Sequence, residues 1–368
     1  MALIGRLVIA WVTVALFLFF GYSWLADLSS TLRVAGLLVW LFAVILWCAS
    51  GVVQEADHLA ELLGEPLGTL VLTLSIVIIE VVLIAAVTFG SEAASTLGRD
   101  TMFAVLMIVL NGVVGLALLL GGLRHNEQAY NLQGAVAYLA VIIPLSVIAL
   151  ILPNFTQAEP VGSLTTTQAA FFSVFTVVLY GIFLVIQTGR HRRFFVESRP
   201  DAVAAAASTR HERHDSAGRA IGGHTLLLVI TMLPIVLLAK QLAKLIDHGI
   251  GVLGAPPALG GVLIGLIVFT PESIAALRAA LDNQLQRSIN LCLGASVSTI
   301  GLTVPAILGV GLATGKTMVL GLDPTGVTLL ALTLVLSTLT FSGPRTTVLE
   351  GTVHLVVFLV YIVLIFSP

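Results

Sequence analysis

Two glutamates stand where only oil-like side chains are expected. Glu80 closes the run "LGTLVLTLSIVIIE", and Glu272 interrupts "GGVLIGLIVFTPESIAAL". An ionised carboxylate at the centre of a lipid-facing helix costs at least about 2.5–3.5 kcal/mol, so each must be paired, hydrated, protonated or metal-bound. Pairing has no candidate: no Lys or Arg falls at similar depth, and Arg278, six residues beyond Glu272, points about 240° round a helix. If both carboxylates face one cavity, repulsion and desolvation raise the proton affinity of the pair, and a cation between them relieves the same repulsion. Protons and cations then compete for one place, which is the physical basis of exchange. Oxygen donors suit hard cations such as calcium.

The spans that follow hold candidates for further ligands. Asn111 lies in "VLMIVLNGVVG", and Asn290, Ser296, Ser298 and Thr299 lie in "INLCLGASVSTIGLTVP". Pro271, just before Glu272, removes one helical hydrogen bond and frees a carbonyl for an ion. Joining helices to one another is the commoner role for such small polar residues, with ion coordination the alternative.

The elements that must position these groups are membrane helices. The chain has 368 residues, 58% hydrophobic and 10% charged, with mean hydropathy +1.08, far more apolar than a soluble domain. A net charge of −2 gives no basis for nucleic-acid binding. Cys48 and Cys292 sit in apolar stretches, without metal-ligand spacing or a disulfide pattern, and read as packing residues. Eleven apolar stretches lie near 4–25, 31–53, 66–90, 101–122, 133–153, 169–188, 223–246, 255–280, 288–312, 318–341 and 346–366. The first follows Arg6 without an obvious cleavage site and is expected to be a retained helix. The longest polar segment, 189–222, carries seven arginines and four acids, and the positive-inside rule places it in the cytoplasm. That puts the N-terminus inside and the C-terminus outside, with twelve of the Lys and Arg residues on cytoplasmic positions and five outside.

Glu80 and Glu272 also mark a repeat. "GEPLGTLVLTLSIVIIEVVLIAAV" starts at Gly64 and "GAPPALGGVLIGLIVFTPESIAAL" at Gly254; twelve residues separate Gly68 from Glu80, and twelve separate Gly260 from Glu272. The glutamates fall on spans three and eight, which run in opposite directions, so the repeat is inverted and its paired elements meet near the midplane. Glu80 lies about 21 Å along a helix from Pro66, and Glu272 about 18 Å from Gly260. The expected fold is an all-α integral membrane protein of about eleven helices: an extra N-terminal helix (1–30), two inverted five-helix repeats (31–188 and 223–368) and a linker (189–222).

"EPLGTLVLTLSIVIIEV" and "FTPESIAALRAALDNQLQRSINLCLGASVSTIGLTVP" resemble the two repeats of the calcium/cation antiporter superfamily, specifically its bacterial ChaA-type cation/proton antiporters. The resemblance covers nearly the whole chain. It implies proton-driven export of calcium, and in this branch also of sodium or potassium, across the bacterial inner membrane. The ion- and proton-binding roles fall on Glu80 and Glu272. It implies no cofactor; the bilayer, inorganic cations and protons are the partners. Better-known calcium/proton exchangers carry Gly-Asn-x-x-Glu in both repeats, whereas "IVIIE" and "VFTPE" lack the Gly-Asn pair, which leaves calcium selectivity open.

Other residues carry blander expectations. Gly261 and Gly265 form a GxxxG packing pattern. His354 is expected to be packed and hydrogen-bonded, with proton relay the alternative, and Glu350 one turn before it to lie near water. The acidic segment with Glu55, Asp57, Glu61 and Glu65 is expected to be a plain solvated loop or a short interfacial helix, with recruitment of cytoplasmic cations the alternative, and Glu92 near an outer mouth is expected to be solvated. His191, His211 and His214 belong to a flexible tether. The chain lacks HExxH and GxSxG, which argues against an enzyme. Matched repeats with titratable centres suit a carrier better than a passive channel.

Overall fold

Backbone groups in hydrocarbon have no partner but one another, so each apolar stretch folds as a helix. The computed structural model describes residues 2–63, 67–90, 94–157, 160–189, 191–195 and 217–367. Eleven apolar helices are present among them. They are α1 (Ala2–Ala26), α2 (Thr31–Leu63), α3 (Leu67–Gly90), α4 (Leu97–His125), α5 (Leu132–Phe155), α6 (Thr166–Thr188), α7 (Ala217–Leu253), α8 (Ala258–Leu281), α9 (Leu285–Thr314), α10 (Pro324–Thr340) and α11 (Val348–Phe366). Side-chain caps start several of them. Thr165 and Gln168 form a capping box on α6, Thr347 and Glu350 form another on α11, and Asp323 accepts from the Gly326 N–H ahead of α10.

The boundaries differ from the sequence expectation where polar residues continue a helix. α2 runs to Leu63, so the acidic "QEAD" stretch is helical, the second of the two forms expected for it, and continues the span rather than standing apart. α7 begins at Ala217, inside the segment expected to be a tether. The start of that segment is docked too: Phe195 is buried against Tyr138 and Phe183, and its carbonyl accepts from Asn290 Nδ2 at 2.6 Å. Glu65, Glu92, His211 and His214 lie outside the described residues.

Burial sorts the helices. In α4 and α9, 83% and 72% of the apolar window is buried, against 28% in α6 and α11. α4 and α9 are therefore the centre of the bundle, and the others present apolar flanks to lipid. Close approach of α8 to α4 depends on Gly261, where a Cβ would come within 2.7 Å of the Asp100 and Thr101 backbone. Likewise α11 reaches α4 through Gly351, where a Cβ would lie 2.4 Å from the Leu119 nitrogen.

The repeat is visible in irregular backbone as well as in side chains. α4 carries a π-helical stretch at Met107–Val113 and α9 one at Thr299–Thr303. Their starts are separated by 299 − 107 = 192 residues, and the glutamates by 272 − 80 = 192. The connecting loops obey the same symmetry. Gln128–Ala129, between α4 and α5, pairs antiparallel with Arg345–Thr346, between α10 and α11; Val319, between α9 and α10, bridges to Ser163, between α5 and α6.

Candidate cation and proton site

Each glutamate lies near the middle of its helix. Glu80 is 13 residues from the start of α3 (80 − 67) and 10 from its end (90 − 80); Glu272 is 14 from the start of α8 (272 − 258) and 9 from its end (281 − 272). Glu80 is fully buried, and its Oε2 accepts from Thr303 at 3.1 Å and, at a longer 3.5 Å, from Thr299. Its Oε1 has no partner. Glu272 is also buried, with neither carboxylate oxygen hydrogen-bonded. It borders a cavity of about 10 Å³ walled by Val109 and Val113 of α4 and Leu291, Cys292 and Ala295 of α9, room for about one water. Among the described residues, no ion pair involves either glutamate.

The contacts are reciprocal between the repeats. Glu80, from the first half, packs on the π-helical stretch of α9; Glu272, from the second half, packs beside the π-helical stretch of α4. A π-turn disturbs the regular carbonyl ladder and is frequent at functional sites. α9 is the common wall. Leu291, Ala295, Thr299 and Thr303 follow one another at four-residue spacing along one face, so the contact points of the two carboxylates on α9 lie roughly 6–18 Å apart. Among the described cavities, none is lined by both glutamates. The two glutamates thus occupy two closely packed positions along α9 rather than one described chamber, the condition set out from the sequence for direct competition between them.

Most of the candidate helpers bond elsewhere, in the helix-joining or helix-internal roles that are the commoner reading. Ser296 and Ser298 donate to their own helix, at Cys292 O and Ala295 O, an outlet open to any helical serine. Asn290 is held by Gln286 and by the Phe195 carbonyl. Asn111 belongs to a separate buried cluster: its Nδ2 donates to Thr333 Oγ1 at 2.8 Å and its Oδ1 lies 3.1 Å from His354 Nδ1, while Thr340 Oγ1 is 3.0 Å from His354 Nε2. His354 is therefore packed and hydrogen-bonded, as expected. Pro271 stands within continuous α8, where its missing N–H leaves the Ile267 carbonyl without its helical donor one turn from Glu272. Of the polar helpers named beforehand, Thr299 alone meets a glutamate. Thr303 was not foreseen. Applying the repeat offset to Asn111 finds it, since 111 + 192 = 303.

A family model described as "Sodium/calcium exchanger protein" matches residues 33–189 and 223–367, one segment for each half. The chain belongs to that family. Sodium/calcium exchanger proteins are membrane transporters, so this chain is a multi-pass cation transporter and not an enzyme. It is 41% identical over 317 residues to y4hA of Sinorhizobium fredii, covering 86% of this chain and 84% of that one. It is 38% identical over 323 residues to the sodium-potassium/proton antiporter ChaA of Escherichia coli, covering 88% and 87%. In fold it is similar to native YfkE, with TM-score 0.73 at 15% identity over 99% of this chain and 100% of that one. It is likewise similar to the H+/Ca2+ exchanger CAX, with TM-score 0.72 at 15% identity over 98% and 87%.

The largest described cleft, about 770 Å³ between α1 and α7, meets α3 only at Ala86 and is lined by Lys240, Lys244 and Asp247.

Proposed function

We propose that this transporter exports a cytoplasmic cation, Ca2+ or else Na+ or K+, in exchange for protons by alternating access, with Glu80 and Glu272 as the groups that hold cation and protons in turn. One observation carries this reading: two buried carboxylates at equivalent repeat positions, neither with a cationic partner. Bare charge there is too costly to persist. Each position therefore requires a proton or a metal ion, and Thr303 and Thr299 offer hydroxyl oxygen beside Glu80. The related ChaA is named for sodium, potassium and protons, and two more distant cyanobacterial relatives for calcium and protons, which frames the choice of cation.

In this reading residues 1–30 form an added helix, 31–188 and 223–368 the two moving repeats, and 189–222 a cytoplasmic linker. The N-terminus lies in the cytoplasm and the C-terminus outside the bacterial inner membrane. The test is exchange in proteoliposomes loaded with a pH dye, with calcium, sodium and potassium compared under one proton gradient. The wild-type chain shows cation-evoked proton movement, and Glu80→Gln and Glu272→Gln each abolish it while inserting normally. Wild-type exchange by either variant overturns the assignment.

A further inference from the structure

Away from the two glutamates, three metal-ligating side chains converge where α2 packs on α7. Glu55 and His58 stand three residues apart on α2, a Glu-x-x-His pair on one helix face. His224 reaches them from the first turns of α7. Its Nδ1 lies 2.7 Å from Glu55 Oε2, and the His58 and His224 ring centroids are 5.1 Å apart. One ligand atom from each of the three residues lies within 4.8 Å of the others. Glu55 is buried, His224 half-buried and His58 exposed. The first two are thus held in place, and the third is open to an arriving ion.

We propose that Glu55, His58 and His224 form a binding site for one transition-metal ion of the zinc type, which ties α2 to α7. Two imidazoles and one carboxylate are a set zinc accepts, with water in the fourth position. The hard cations calcium and magnesium prefer oxygen throughout, so this site differs in kind from the carboxylate and hydroxyl oxygens around Glu80. The ion takes the place of the proton shared by Glu55 and His224. Zinc–ligand lengths of about 2.0–2.1 Å set ligand atoms about 3.3 Å apart, so the Glu55–His224 contact opens slightly and the exposed His58 swings in. Arg6, near enough to act on Glu55, opposes the charge of the ion and limits its affinity. The site lies in the last turns of α2, far from mid-helix, so the metal is a resident ligand rather than cargo. The inference does not rest on the proposed transport reaction.

Isothermal titration of the detergent-purified full chain with zinc tests it. One saturable zinc per chain is expected, with a rise in melting temperature on binding. His58→Ala and His224→Gln each weaken that binding at least about tenfold and remove the thermal shift. A variant with His191, His211 and His214 all changed to Ala binds as wild type does. His58 is exposed, so its loss leaves the fold intact and keeps the test decisive if His224→Gln is unstable. Absence of saturable binding, binding unchanged in His58→Ala, or binding lost in the linker variant overturns the proposal.

Discussion

At the scale of single residues, the environment of Glu80 turns on one hydroxyl. Thr303 supplies its shortest hydrogen bond, and a bond to a charged group contributes about 1.5–3 kcal/mol. Thr303→Val keeps the shape and removes the donor. Its apparent cation affinity in the exchange assay is expected to fall roughly tenfold to a hundredfold, with Thr303→Ser near wild type. Wild-type affinity in Thr303→Val would reduce the contact to packing. The carboxylates themselves were legible in the sequence, because a charge in an apolar span is conspicuous. Their neighbours were not: every serine on a helix has its own upstream carbonyl within reach, and Ser296 and Ser298 take that option. Asn111 was drawn away by His354 and Thr333, which are 243 and 222 residues distant in sequence and beyond local reading.

At the scale of elements, the site is held by helices crossing at small residues. Gly261 lets α8 meet the α4 backbone and thereby sets where Glu272 faces the π-helical stretch. Gly261→Val forces that crossing apart at an overpacking cost of about 1–3 kcal/mol. The melting temperature of the purified chain should drop, and exchange should weaken even though Glu80 and Glu272 are intact. A variant as stable and active as wild type would show that the approach is not needed. The GxxxG pattern announced this contact, but the π-turns at Met107–Val113 and Thr299–Thr303 had no signature in composition. They lie in α4 and α9, the two most buried of the long apolar helices, and a third lies at Val147–Ile151 in α5.

At the scale of the whole molecule, contacts divide into two faces. On one, Arg6 meets Gln54, Gln128 donates to the Ala280 carbonyl, and Arg345 pairs with Glu127. On the other, Lys244 donates to the Leu25 carbonyl, His248 meets that of Leu28, and Arg99 reaches that of Gly321. Asp27 belongs to this second face, where hydrogen bonds from Ser29 and then Arg33 hold its carboxyl down at about 2. The odd number of crossings was readable from hydropathy alone, and the faces follow from it. The ordered ends of the 189–222 segment were not, since Phe195 gains its burial only from Tyr138 and Phe183. Single cysteines at Glu127 and Ser29 should react with a membrane-impermeant maleimide from opposite sides, Glu127 from the cytoplasm. Both native cysteines are buried and leave little background. Labelling of both from one side contradicts the topology.

The central claim is that hydrogen ions and a metal cation take turns on the same carboxylates, and cation binding by the purified chain as a function of pH measures it most directly. Occupation of shared oxygens by protons means that apparent cation affinity falls steadily as the pH is lowered, and that Glu80→Gln and Glu272→Gln lose both the binding and its pH dependence. Cation affinity that stays constant across the neutral range, in a chain that still exchanges, contradicts the account.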